Sequence, residues 1–212
     1  MILYGYFQSS AAYRVRIALG LKRLPHDFRA VHLRRGDQAG RAFRAVNPQG
    51  LVPAFEVSGR VLIQSLAIVE WLDEAFPEPP LLPADRDLRA RVRAFAQVIS
   101  CDVHPLQNLR VLRYLKRQYG KEQEELDAWC RHWVGEGLAA CEALVGREPA
   151  AAFGFGVAPG LAEVCLVPQM ASADRFGLDL APYSRLRRIR AACEALPAFA
   201  AARPEVQPDA AG

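Results

Sequence analysis

The chain lacks the marks of several whole classes of protein. No apolar run among its 212 residues reaches the ~18 needed to cross a bilayer, so no membrane partner is expected. Residues 1–7 hold no basic region followed by a long apolar stretch, which predicts no signal peptide. The five cysteines (Cys101, Cys130, Cys141, Cys165 and Cys193) are odd in number and show no CxxC spacing. That pattern argues against a disulfide framework or a metal site and for reduced thiols in a cytoplasmic protein, most of them buried filler on helix faces. There is no basic stripe interleaved with stacking aromatics. The net charge is only +4, and the densest basic cluster, Arg185, Arg187, Arg188 and Arg190, has the spacing of a solvated helix face. Nucleic acid is discounted as a partner. No internal repeat or low-complexity tract stands out.

What is present is a soluble composition, 51% hydrophobic and 24% charged, with enough chain for one sizeable domain or two modest ones. The first 76 residues alternate strand and helix patterns. Ile2–Tyr4 reads as a strand and Ser10–Leu19 as a helix closed by Gly20 at its C-terminal cap. A second strand fits Asp27–Val31, followed by a polar loop over Arg34–Gly40 and a short helix near Ala42. Asn47-Pro48-Gln49-Gly50 is a strong turn signal. The apolar runs Ala54–Val57 and Val61–Ile63 flank Ser58-Gly59-Arg60 and predict a hairpin. Leu66, Ile68, Val69, Leu72 and Ala75 then give an amphipathic helix over Ser65–Phe76. Four prolines within Pro77–Pro83 predict a stiff linker, over 77–86. The remainder, 87–212, reads as all helix, with stripes at Leu88, Val92, Phe95 and Ile99, at Leu106, Leu109, Leu112 and Leu115, and at Leu126, Trp129, Trp133 and Leu144. The tail from Pro204 is expected to extend along the surface or fray. Together these predict an α/β thioredoxin-like N-terminal domain (1–76) followed by an all-α C-terminal domain.

The motif that points to chemistry is Ser9-Ser10-Ala11-Ala12-Tyr13-Arg14, where a strand turns into a helix. A serine at that place is either an N-cap or an anion-binding hydroxyl beside the helix's unpaired N–H groups. Facing a thiol, the second arrangement depresses its pKa. Val52-Pro53, at the entry to the hairpin, is either an ordinary trans proline or a cis peptide that exposes the Val52 backbone to an extended ligand. Gln64-Ser65 places another hydroxyl at a second helix N-terminus. Two positive helix ends, one extended backbone edge and a side-chain amide suit a small peptide that carries carboxylates.

Taken together, these segments resemble the glutathione S-transferase superfamily, and within it the zeta class, which includes maleylacetoacetate and maleylpyruvate isomerases. The resemblance runs from Leu3-Tyr4 through Arg14-Val15-Arg16-Ile17-Ala18-Leu19, Asn47-Pro48, Val52-Pro53 and Gln64-Ser65-Leu66-Ala67-Ile68. It continues through Leu81-Leu82-Pro83, His104-Pro105-Leu106-Gln107-Asn108, Leu166-Val167-Pro168-Gln169 and Arg175-Phe176 to Pro182-Tyr183 and Gln207-Pro208-Asp209. It implies a glutathione S-transferase fold, a homodimer and glutathione as cofactor. By the same resemblance Ser9 and Ser10 lie near the glutathione sulfur, Val52 and Pro53 meet the cysteinyl unit, and Gln64 and Ser65 hold the γ-glutamyl end. Gln38, His104, Asn108 and Arg110 match positions lining the cofactor and substrate cleft, and Arg175 a position on the substrate side. The implied activity is cis–trans isomerisation of a dicarboxylate-type cis-enedione acid. Conjugation or dehalogenation of small electrophilic acids, or glutathione binding without turnover, are the alternatives.

The chain departs from the family pattern at three places. Ala11 stands where the signature usually carries a cysteine, and Gln8 where many members have an arginine. Gly160 and Glu163 replace a Thr/Ser cap and an aspartate at the start of the helix after the glycine-rich stretch 154–160. From these departures follow the expectations that no thiol donor and no cation stand beside Ser9, and that the later cap is modestly weakened.

Overall fold

The computed structural model describes residues 1–210. Two compact units emerge, one formed by residues 1–81 together with 194–210, the other by residues 82–193.

The first unit holds a four-stranded sheet of order β2-β1-β3-β4, made by β1 (Ile2–Gly5), β2 (Asp27–Ala30), β3 (Ala54–Val57) and β4 (Arg60–Ile63). β1 and β2 are parallel, joined by helix α1 (Ser10–Leu21), while β3 lies antiparallel to both β1 and β4. Leu3 faces Phe55 across the β1–β3 ladder and Phe28 across β1–β2. Leu3 and Phe55 are fully buried, so the β1–β3 register is fixed by the core. Helix α2 (Arg41–Val46) and helix α3 (Ser65–Ala75) complete the predicted elements.

Every residue from Ser10 to Leu19 is buried, as befits a helix covered on more than one side. Its neighbours are α3 and the short helix α9 (Pro197–Ala202). That packing corrects the expected role of Gly20. The helix continues past it to Leu21, and a side chain at Gly20 would put its Cβ 3.2 Å from both the Cβ and the carbonyl oxygen of Ala198. The glycine is there for close approach, not for a cap. Residues 194–210 therefore pack with the first unit rather than with the bundle, in which the expected 87–212 segment placed them. The tail is held too. Asp209 accepts a hydrogen bond from the Phe7 amide at 3.0 Å, and Arg16 donates to the carbonyl oxygens of Ala202 and Phe7 at 3.0 and 3.1 Å. Residues 211 and 212 lie outside the described residues.

The proline-rich segment is anchored at its start. The buried Lys22 ammonium sits 2.6 Å from Asp73 and donates to the carbonyl oxygens of Phe76 and Pro79, while Asp73 accepts from the Leu81 amide at 2.7 Å. The first unit consequently ends at Leu81, inside the expected linker.

The second unit contains α4 (Arg86–Gln97), a π-helical turn (Val98–Val103), α5 (Leu109–Tyr119), α6 (Gln123–Val145), α7 (Leu161–Arg175) and most of α8 (Ser184–Glu194). α7 is its central element, buried from Leu161 to Met170, and α4 and α6 both pack on it. α5 has no buried residue, so the stripe of Leu109, Leu112 and Leu115 is half-covered. The arginines of α8 act as fasteners: Arg185 pairs with Glu142, Arg190 with Asp174, and Arg188 donates to the Ala151 carbonyl. At the start of α7, Glu163 accepts from the amides of both Gly160 (2.8 Å) and Gly154 (2.9 Å). The longer side chain thus ties down the glycine-rich loop, where a weakened cap was expected. Four cysteines are buried, and burial pushes the Cys130 and Cys141 thiols up to about 12.

Candidate active site

Ser9 is the N-cap of α1. It has extended backbone angles, and its hydroxyl oxygen accepts from the Ala12 amide at 3.2 Å. That hydrogen bond uses an oxygen lone pair and leaves the hydroxyl proton available to a ligand. Ser10, buried, opens the helix, and Ala11 beside it is also buried. No acidic residue occupies the first turn of α1, so its positive end is not neutralised from within.

A second positive helix end belongs to α3, whose first turn also lacks acidic residues. Ser65, buried at its start, accepts a hydrogen bond from Arg14 Nη1 at 3.1 Å. Arg14 lies in α1 and is only 1% exposed. The direction of this bond matters. A guanidinium can only donate, so the Ser65 hydroxyl must turn its own proton elsewhere, and a full positive charge stands behind it. One buried arginine thus connects the two helices whose N-termini carry the serines.

Between these helices in sequence, Asn47 builds the approach. Its side chain accepts from the Gln49 amide at 3.0 Å and donates to the Leu51 carbonyl at 2.6 Å, clamping the Asn47–Gly50 turn from both sides. Gly50 has φ +65°, and a Cβ there would meet the Gln38 carbonyl oxygen at 2.9 Å, so the loop carrying Gln38 lies directly on this turn. The chain then enters Val52-Pro53, which is cis. The β1–β3 ladder begins only at Ala54, so the Val52 main chain stands ahead of the sheet pairing. Gln64 adopts φ +69° and donates from its amide to Gln49 Oε1 at 2.9 Å. A non-glycine residue held at such an angle marks local strain of the kind found at ligand sites. Gln38, Val52, Pro53, Gln64 and Ser65 are therefore linked within one unit by the turn, and Arg14 links Ser65 to the helix that carries Ser9 and Ser10.

The remaining predicted residues lie in the second unit. Asn108 is the N-cap of α5 and accepts from the Arg110 amide at 3.1 Å, so these two share one helix start. His104 closes the π-helical turn, its amide donating to the Ile99 carbonyl at 2.8 Å. Arg175 sits in the last turn of α7 with its guanidinium 4.9 Å from the Phe176 ring centre.

Two contributors escaped the sequence reading. Gln49 was recognised only as a turn residue. Arg34 was placed in a polar loop, yet its Nη2 donates to Gln8 Oε1 at 2.9 Å, next to Ser9. The expectation that Gln8 leaves this place without a cation is corrected: the charge arrives from another segment.

Residues 3–80 match the family model of the glutathione S-transferase N-terminal domain. A maleylpyruvate isomerase of a Ralstonia species is 48% identical over 212 residues, covering 100% of each chain. Among solved structures, a holo maleylpyruvate isomerase described as a zeta-class bacterial glutathione S-transferase has a TM-score of 0.97 at 48% identity and 99% coverage of both chains. A maleylacetoacetate isomerase from Anaeromyxobacter dehalogenans, solved with dicarboxyethyl glutathione and citrate in its active site, has a TM-score of 0.88 at 46% identity, covering 99% of this chain and 93% of that one. The chain belongs to the zeta class of the glutathione S-transferase superfamily.

Proposed function

We propose that the protein is a glutathione-dependent cis–trans isomerase of a cis-enedione acid of the maleylpyruvate or maleylacetoacetate type. The observation that carries this reading is the pair of serine-headed helix N-termini, free of acidic residues and joined through Arg14, on a chain 48% identical along its whole length to a maleylpyruvate isomerase.

The residues suit glutathione. Peptide carboxylates are matched by the α3 N-terminus with Ser65 and by the amides of Gln64 and Gln49, and its backbone by the Val52 main chain ahead of the ladder. Bound glutathione supplies a thiolate that adds reversibly to the cis double bond, so that the former double bond turns as a single bond before elimination restores it as trans. The chain's part is to keep that sulfur ionised. The Ser9 proton and the α1 N-terminal N–H groups point partial positive charge at an anion there, and a preorganised donor of this kind is worth about 10²–10³ in rate. We propose that Arg110 and Arg175 provide the cations for the substrate carboxylates and for the negative charge that develops on the enolate oxygen. The chain works as a homodimer in the cytoplasm; the exposed Val61 and Ile63 on edge strand β4 support the first part, and five thiols without a disulfide the second.

The test is an isomerisation assay with maleylpyruvate and maleylacetoacetate offered separately, with and without glutathione. Turnover that needs glutathione supports the reading, and its absence on both substrates refutes it. Ser9→Gly sharpens the test. Glycine costs an N-cap only a few tenths of a kcal/mol but removes the hydroxyl, so activity is expected to fall at least tenfold at nearly unchanged melting temperature. Wild-type turnover in that variant would remove Ser9 from the mechanism.

A further inference from the structure

We propose that Asp209, in the C-terminal tail, is a positioning residue for Ser9: by accepting the Phe7 amide it fixes the direction in which the Ser9 hydroxyl is presented. The inference deepens the isomerase reading and rests on it for the role of Ser9 toward the glutathione sulfur.

The segment between β1 and α1 has no ladder of its own. Residues 6–9 are turn and irregular chain, so their backbone groups need partners from elsewhere. The Ser9 amide donates to the Tyr6 carbonyl at 2.9 Å, and the Ser9 carbonyl accepts the first helical bond of α1, from Tyr13, at 2.8 Å. Phe7 lies inside this turn, two residues before Ser9. Side chains from other segments hold both of its backbone polar groups. Its N–H goes to Asp209 Oδ2 at 3.0 Å, and its carbonyl oxygen accepts from Arg16 Nη2 at 3.1 Å.

The two grips are fixed to one another. The buried Arg16 also donates from Nε to the Ala202 carbonyl at 3.0 Å, at the end of α9. Past that point Gln207 donates from Nε2 to the carbonyls of Ala201 and Arg203, at 2.9 and 2.8 Å. Its own carbonyl accepts from the Ala210 amide at 3.0 Å, which closes a turn around Asp209. The circuit thus runs from Phe7 through Arg16, Ala202, Gln207 and Asp209 back to Phe7. Charge supports it as well. Burial pulls the Arg16 pKa down to about 10, while Tyr13, Asp209 and Glu205 act in the opposite direction. Asp209 therefore favours the charged form of the guanidinium that holds the other side of Phe7.

The link to chemistry is angular. A hydroxyl donates well only near a straight line to its acceptor and weakens steeply below ~120°. Any rotation of the Phe7–Ser9 turn re-aims the Ser9 hydroxyl and the first N–H groups of α1 together. A carboxylate oxygen on a backbone N–H is a charge-assisted bond, among the stronger kinds. Asp209 supplies that grip where neither sheet nor helix does.

The experiment uses the full chain as wild type, Asp209→Ala, Asp209→Ser and Asp209→Asn, each held below its own melting transition. Three quantities are read: the ultraviolet thiolate absorbance of bound glutathione across pH, kcat and KM for the isomerised substrate, and calorimetric affinity for S-methylglutathione, which has no ionisable thiol. In Asp209→Ala the thiolate fraction at pH 7 and kcat should both fall about tenfold, less than the 10²–10³ expected for outright removal of such a donor. Both should recover as pH rises, with KM and S-methylglutathione affinity within about twofold of wild type. Serine is too short to reach the Phe7 amide and should match alanine, which keeps the test open if the alanine variant does not fold. Asparagine keeps an acceptor and should restore near wild-type values. A wild-type thiolate fraction in folded Asp209→Ala or Asp209→Ser would overturn the inference. So would S-methylglutathione affinity falling in step with kcat, or an asparagine variant as impaired as alanine. A wild type that ionises glutathione but turns over neither maleylpyruvate nor maleylacetoacetate would refute the isomerase reading, while the thiolate absorbance would still decide the role of Asp209. A wild type that leaves bound glutathione un-ionised would overturn both.

Discussion

Replacing Glu163 by glutamine tests whether one buried carboxylate holds the glycine-rich loop to the first turn of α7. Its two oxygens accept from the amides of Gly154 and Gly160, at 2.9 and 2.8 Å, and the residue is 3% exposed. Glutamine keeps one acceptor and turns an NH2 group toward the other amide, leaving a buried donor unpaired at a cost of about 1–3 kcal/mol. Relief of the charge's own burial offsets part of this. A net loss of about 1–2 kcal/mol is expected, or roughly 2–8 °C in melting temperature for a chain of this size. The pH dependence follows from the carboxyl's own shift. Burial is the largest influence and pushes its pKa above the ordinary 4.5, with the amide hydrogen bonds pulling the other way. A raised native pKa means that the folded state holds the proton more tightly than the unfolded one. This group's contribution to stability is then fully present below the unfolded value and declines as pH rises through the window up to the native value. Glutamine does not titrate, so the gap between wild type and variant should narrow as pH increases through that window. Thermal melts from pH 4 to 8 read it directly. A variant as stable as wild type at every pH, or a gap that widens as pH rises, would refute this account of the loop.

Two further outcomes are expected. Lys22→Met leaves the buried Asp73 without its ammonium counterion while freeing the carbonyls of Phe76 and Pro79, so it should cost about 3–5 kcal/mol in urea unfolding; a loss under ~1 kcal/mol would show that the ion pair does not hold the proline-rich segment. A thiol reagent at pH 8 should modify only the exposed Cys101 in the native protein and all five cysteines in urea, because burial pushes Cys130 and Cys141 up to about 12 and Cys165 and Cys193 are enclosed.

Local signals carried the first unit far. The turn at Asn47–Gly50, the hairpin around Ser58-Gly59 and the starts of α1 and α3 each depend on a few neighbouring residues, and those are the features that a sequence displays. The serines and Val52-Pro53 were legible for the same reason, since a helix start or a turn entry fixes where a side chain sits. What stayed hidden was decided by contacts between distant segments. Gly20 looks like a cap until Ala198 is seen against it. Arg34 and Gln8 are separated by 26 positions, and no periodicity relates a loop arginine to a glutamine before a helix. The leucines of α5 have an apolar stripe's spacing, but what covers a stripe is a tertiary fact. Arg14 was quoted as part of a motif, and its hydrogen bond to Ser65 only became visible once α1 and α3 lay side by side.

The return of the chain to its beginning affects how the protein is made. Helix α1, whose N-terminus carries Ser9, is flanked on one side by α9 and secured by contacts from Ala202 and Asp209. On a ribosome those residues emerge more than a hundred positions after the sheet is complete, on the order of ten seconds later at ~5–20 residues per second. Through that interval the nascent first unit carries an uncovered flank on α1, at the apolar positions that α9 later closes. The segment that finishes this helix is made well after the sheet, so glutathione binding capacity should arrive only once residues 197–209 have emerged.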